Sequence, residues 1–165
     1  MNFKFQIAKF FASFFFVGFI KKAPGTFGSL ASLIVIYPFF ESLNFHQKQY
    51  IIYAVFFLGT IATHYYMKIT HKSDPKEVVI DETLGVYLCL FVNYEFFPFL
   101  EVKTLFFVSF ILFRFFDILK PFPISLIDRK MDNALGVMLD DAMAGIVGSA
   151  VFIIFMQIYD KFFTW

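Results

Sequence analysis

Charge is scarce in this chain. Only 16% of its 165 residues are Asp, Glu, Lys or Arg, where a water-soluble domain carries about a quarter. Polar groups cannot cover such a molecule, so an ordinary soluble domain is excluded. Cysteine is nearly absent. Cys89 alone can close no internal disulfide and build no thiolate zinc site; inside an apolar run it is expected to be a packing residue. There is no basic excess either. The formal net charge of +1 gives no basis for nucleic-acid binding. Internal repeats, low-complexity linkers and a defensible domain boundary are missing too, so one membrane-embedded domain is expected over 1–165.

Apolar residues are what the chain has: 59% of the total, with 29 Phe. Such a composition excludes disorder. If the apolar surface faces lipid, the length allows about five or six spans of about 20 residues. The charge-free runs place helical segments near 27–42, 48–68, 82–99, 104–120 and 140–160. Residues 3–20 form a sixth, spanning or lying in the interface. This N-terminal run lacks a small-x-small cleavage site and leads into Lys21-Lys22, so it is expected to be retained. Pro121 and Pro123 end the fourth helix. The expected fold is an all-α integral membrane bundle of antiparallel helices.

Lys21, Lys22, Lys68, Lys72, Lys76, Lys120, Arg129 and Lys130 fall at one set of helix ends; Lys48, Lys103 and Lys161 fall at the other. This bias places the first set in the cytoplasm and Trp165 outside.

Most acids lie on that same cytoplasmic side, where mutual repulsion demands cations. Asp81-Glu82 opens the third clean helix, Asp117 nears the end of the fourth, and Asp140-Asp141 opens the fifth. In an antiparallel bundle these three ends converge. Carboxylates beside membrane spans mark sites, and hard oxygen donors suit Mg²⁺. Helix capping would account for Asp81 and Asp140. It accounts less well for adjacent pairs, or for an acid at a helix C-terminal end.

The bases nearby suit phosphate. Arg114 lies within an apolar run and shares a helical face with Asp117 three residues on. Lys120 precedes Pro121 at the membrane face, and Arg129-Lys130 follow in the same loop. Arg forks and Lys point charges both hold phosphate oxygens; simple membrane anchoring suffices for Lys130, Lys21 and Lys22. Pro24-Gly25-Thr26-Phe27-Gly28-Ser29 precedes a helix, where glycines permit close approach and free N–H groups suit an anion. By itself this stretch reads equally well as a capped helix start. Ala144, Gly145, Gly148 and Ser149 form small-xxx-small pairs that let another helix pack closely.

Taken together, three blocks resemble the phosphatidylglycerophosphatase A family of bacterial inner-membrane lipid phosphatases. They are Pro24 to Ser29; Asp74 with Val79-Ile80-Asp81-Glu82 and Gly85; and Arg114 to Ile124 followed by Asp128-Arg129, Gly136 to Asp141 and Ala144-Gly145. The order and spacing hold across nearly the whole chain. Ala134, where glycine is expected, and Val137, where isoleucine is commoner, depart mildly. The resemblance implies Mg²⁺-dependent hydrolysis of phosphatidylglycerophosphate to phosphatidylglycerol and phosphate, at the cytoplasmic face of the inner membrane, in phospholipid biosynthesis. Asp81, Glu82, Asp140 and Asp141 would hold one or two Mg²⁺, with Asp117 as a further ligand or base. Arg114, Lys120, Thr26 and Ser29 would contact substrate, and Asp74 and Arg129 belong to the same substrate-binding set. The expected partner is a membrane phospholipid, and self-association into a homo-oligomer is compatible with the sequence.

Other chemistries fit less well. A Cys-x5-Arg loop and an Asp-x-Asp phosphatase loop are both missing. The longer Asp-Gly…Asp…Asp pattern of CDP-alcohol phosphotransferases is not present. A divalent-ion transporter would need acids through the bilayer, and here they gather at one face.

Overall fold

The computed structural model describes residues 3–163. Among them there is no strand. Helices α1 (Phe3–Ala12), α2 (Pro24–Phe40), α3 (Phe45–Thr70), α4 (Ile80–Phe96), α5 (Val102–Leu119), α6 (Ile124–Lys130) and α7 (Ala134–Phe163) follow in order. The all-α expectation holds.

Local chemistry sets the helix ends. Pro24 stands at the first turn of α2, where its missing N–H costs nothing. Asn44 caps α3 reciprocally: its side chain accepts from the Gln47 N–H, and the Gln47 side chain accepts from the Asn44 N–H, both at 2.9 Å. Lys120 ends α5 in the left-handed region at φ 42°, and Pro121 follows.

Three segments differ from the sequence reading. Residues 3–20 are not one helix. The chain breaks after Ala12, with Phe14, Phe15 and Phe16 all at positive φ, and the Val79 N–H donates to Ala12 O at 2.9 Å. The one local sign is Ser13, whose hydroxyl donates to Lys9 O at 2.7 Å and accepts from the Phe16 N–H at 3.1 Å. The stretch holding Arg129 and Lys130 is a short helix, α6, rather than a loop. Finally, α7 starts at Ala134, so Asp140-Asp141 lies more than a turn inside it. That position rules out N-capping for Asp140.

Helix α4 is the axis of the bundle. It packs on α2, α3, α5 and α7, and Leu84, Val86, Cys89 and Leu90 are wholly buried. Cys89 is a packing residue, as expected. Two polar contacts tie this axis to neighbouring helices. The Asn93 amide donates to Ser109 Oγ at 3.0 Å, and Ser149 Oγ donates to Cys89 O at 3.1 Å.

The outer surface is apolar. Ile34, Phe57, Leu58, Phe107 and Phe155 are all more than half exposed, which is unsupportable in water over so wide an area. Helices α3 and α7 are long and apolar enough to cross a membrane, and less than a third of either apolar stretch is buried. Helix α2 is apolar but shorter, at 17 residues, or about 26 Å at 1.5 Å per residue. Among the described residues two helices are long and apolar enough for a crossing, where the sequence reading counts five or six segments. Trp165, placed outside from the charge count, lies beyond the described residues.

The small-residue stripe of α7 does what its spacing suggests. A Cβ on Gly145 would strike the Gly85 carbonyl of α4, whereas one on Gly148 would meet Leu112 Cβ at a tight but yielding 3.3 Å. In a helix, alanine gains about 1 kcal/mol over glycine; overpacking against fixed backbone costs about 1–3 kcal/mol. Gly145→Ala is therefore expected to lower the thermal unfolding midpoint in detergent, while Gly148→Ala leaves it level or raises it.

Candidate metal and phosphate site

The start of α4, the end of α5 and the N-terminal part of α7 meet around a cavity of about 400 Å³. Its walls carry eight acids (Asp74, Asp81, Glu82, Asp117, Asp128, Asp132, Asp140 and Asp141) and two lysines, Lys76 and Lys120. Such an imbalance in a partly desolvated space is relieved by bound cations or by protons.

Three of the acids converge. Carboxylate oxygens of Asp81, Glu82 and Asp141 lie within 4.8 Å of one another. Asp81 and Asp141 are buried, and Glu82 Oε2 is buried with no hydrogen-bond partner. A buried carboxylate oxygen without a donor is costly. All-oxygen donors around an orphaned anionic atom fit a hard divalent cation. Asp117 faces Asp141 from the end of α5.

Asp140 stands apart from the three. Its Oδ2 accepts from Lys120 Nζ at 2.6 Å, and Lys120 also pairs with Asp128 of α6. The lysine thus ties α6 to α7 at the cavity wall. Burial by itself pulls the Lys120 ammonium down; the hydrogen bonds and charges of Asp128 and Asp140 outweigh this and raise its pKa above the ordinary value. In the loop before α4, the Lys72 hydrogen bond at 2.8 Å lowers Glu77 below the usual range.

Arg114 Nη1 lies 2.6 Å from Asp117 Oδ2, yet Nε and Nη1 are buried without a properly directed hydrogen bond. The backbone of Gly25 comes close to this group. A Cβ there would strike Glu82 Oε1 and sit 3.1 Å from Arg114 Nη1. The glycine lets the first turn of α2 press against an acid and a base together. Gly25→Ala is expected to displace the Glu82 carboxylate and weaken divalent-ion binding about tenfold or more, read by calorimetry of the purified protein.

The cavity brings together Asp74, Asp81, Glu82, Asp117, Lys120, Asp140 and Asp141. Of the other residues singled out, Thr26 and Arg114 sit beside it on α2 and α5 without forming its wall. Ser29 is fully buried, and its hydroxyl donates to Gly25 O at 2.8 Å. Arg129 is exposed on α6. Asp128, which the sequence reading left out of the site, anchors Lys120; no helical spacing links residues separated by the Pro121-Phe122-Pro123 turn.

Comparison with known proteins now joins this geometry. The phosphatidylglycerophosphatase A profile matches residues 10–156. A Haemophilus influenzae phosphatidylglycerophosphatase A is 37% identical over 140 residues, covering 84% of this chain and 80% of its own. The Escherichia coli protein of the same name is 29% identical over 133 residues, covering 78% and 71%. A Bacteroides thetaiotaomicron protein, provisionally named phosphatidylinositol-3-phosphatase, is 33% identical over 137 residues, covering 78% and 80%. No solved structure matches. The profile spans most of the chain and takes in every acid of the cavity, so the chain is a phosphatase and belongs to the phosphatidylglycerophosphatase A family.

Proposed function

We propose that the protein hydrolyses the terminal phosphate of phosphatidylglycerophosphate, yielding phosphatidylglycerol for phospholipid biosynthesis. It does so with Mg²⁺, as a multi-pass protein whose site faces the cytoplasm at the inner membrane. The observation that carries this reading is the convergence of Asp81, Glu82 and Asp141 in an acid-lined cavity at the helix ends. Asp81, Glu82 and Asp141 would hold the metal, and Asp140 flanks them. When bound, the ion neutralises phosphate charge and lowers the pKa of water.

The chain's own groups supply the rest. Water oxygen forms a bond to phosphorus while the bond from phosphorus to the glycerol oxygen breaks. Asp117 accepts the proton of the attacking water, and the departing glycerol oxygen takes a proton from solvent water in the open cavity to become the hydroxyl of phosphatidylglycerol, the Asp117 proton returning to solvent. Lys120 and Arg114 offer charge to phosphate oxygens as they gain charge. The cationic ends Lys21, Lys22 and Lys76 favour the cytoplasmic leaflet.

The test is phosphate release by detergent-purified protein. Release from phosphatidylglycerophosphate with Mg²⁺, lost on adding EDTA and restored by excess Mg²⁺, is the expected result. EDTA-resistant release would remove the metal from this reading. Faster release from phosphatidylinositol 3-phosphate would move the substrate toward that named for the Bacteroides relative.

A further inference from the structure

We propose that the groove between α2 and α5 is a subsite for an acyl chain of the lipid whose phosphate enters the acidic cavity. This inference rests on the lipid phosphatase reading above and adds where the hydrophobic part of the substrate lies.

The groove has a volume of about 260 Å³. Leu30, Ile34 and Tyr37 line one wall, and Phe107 and Phe110 line the other. The α5 wall continues into the acidic site, and the α2 wall ends at the helix turn that packs on it. On α5, positions 107, 110, 114 and 117 recur at three- and four-residue steps, so they form one stripe. That stripe runs from the phenylalanines through Arg114 to Asp117 in the cavity wall. On α2, positions 37, 34, 30 and 26 form the matching stripe, ending at Thr26 in the first turn, where the neighbouring Gly25 approaches Glu82 and Arg114. The helices are antiparallel, so the two stripes descend from the site together. At 1.5 Å per residue, Leu30 lies about 9 Å and Tyr37 about 20 Å along α2 from Pro24.

This order matches a phospholipid read from its head downward. The phosphomonoester would meet the acids, the polar linkage would pass Thr26 and Arg114, and hydrocarbon would follow among Leu and Phe. Thr26 and the buried, poorly satisfied Arg114 thereby gain a place at the junction that the cavity alone does not give them. At the far end the Tyr37 and Phe106 rings, both in the groove lining, meet edge-on with centroids 5.2 Å apart.

A second apolar groove, of about 310 Å³, lies between α1 and α3 and includes Leu58. Neither of those helices contributes a residue to the acidic cavity. It is therefore the control for a groove filled only by bulk lipid.

Ile34 is 65% exposed and Leu58 is 59% exposed, so a larger side chain at either position leaves the core intact. Ile34→Trp is expected to lower the ratio of long-chain to short-chain kcat/KM for phosphatidylglycerophosphate about tenfold. Leu58→Trp is expected to leave that ratio as it is. An unchanged ratio in Ile34→Trp, or an equal fall in Leu58→Trp, overturns the proposal. A second measurement does not need turnover. Phosphatidic acid with a photoreactive group in its acyl chain should label α2 and α5, and excess unlabelled phosphatidic acid should suppress this where phosphatidylcholine does not. Equal suppression by both lipids would also overturn it. Absence of phosphate release from the wild type, with selective labelling retained, would discard the phosphatase substrate while the lipid subsite stands.

Discussion

Asp141→Asn is expected to lower kcat by roughly a thousandfold, the several kcal/mol that a metal supplies to developing phosphate charge. The fold should survive, because asparagine keeps the volume of the side chain. Two opposite stability shifts separate this from general damage. Without a divalent ion, three convergent carboxylates repel each other in a desolvated space. Removing one charge should therefore raise the unfolding midpoint of the metal-free protein. With Mg²⁺ at about a hundred times its dissociation constant, the wild type should gain about 2.7 kcal/mol, and the variant should gain little. Thermal unfolding in detergent, with and without Mg²⁺, reads both. A variant that is fully active, or as strongly stabilised by Mg²⁺ as the wild type, would remove Asp141 from the ligand set. Asp81→Asn should behave alike, since its carboxylate belongs to the same group of three.

The geometry around Asp141 shows what the sequence could convey and where it stopped. Acidic pairs at the expected ends of the third and fifth clean helices were enough to bring α4, α5 and α7 to one cavity, because short connections force neighbours to run antiparallel. Adjacency was less informative. Neighbouring residues of a helix point about 100° apart, so Asp140 and Asp141 face different partners: Asp141 turns to Asp81 and Glu82, and Asp140 turns to Lys120. Which member faces which neighbour depends on the rotation of α7, and the close seating of Gly145 on the Gly85 carbonyl fixes that rotation. The seven residues of α6 are too few for a hydrophobic period to emerge. The break at Phe14–Phe16 carries only a weak turn signal, a single Ser13 among phenylalanines; that serine accepts from the Phe16 N–H at 3.1 Å, and the Val79 N–H from the loop before α4 ties Ala12 from outside.

Lys120→Met should reduce kcat/KM about a hundredfold, the scale of removing one donor of developing phosphate charge. The lysine has two tasks in this site. It bridges Asp128 and Asp140, and it is the cation on the cavity wall nearest the end of α5. Breaking a fully buried ion pair costs about 3–5 kcal/mol. The Lys120 side chain is 32% exposed, so solvent screening reduces this to about 1–3 kcal/mol. Adding Asp140→Asn to Lys120→Met tests the two tasks separately. The double variant no longer leaves an unpaired charge in the 8% exposed Asp140 position, so much of the lost stability should return. Activity should stay low, because the cation that meets phosphate is still missing. Recovery of both together would make Lys120 a structural tie alone. Recovery of neither would show that α6 depends on the Asp128 contact, which asparagine at position 140 does not replace.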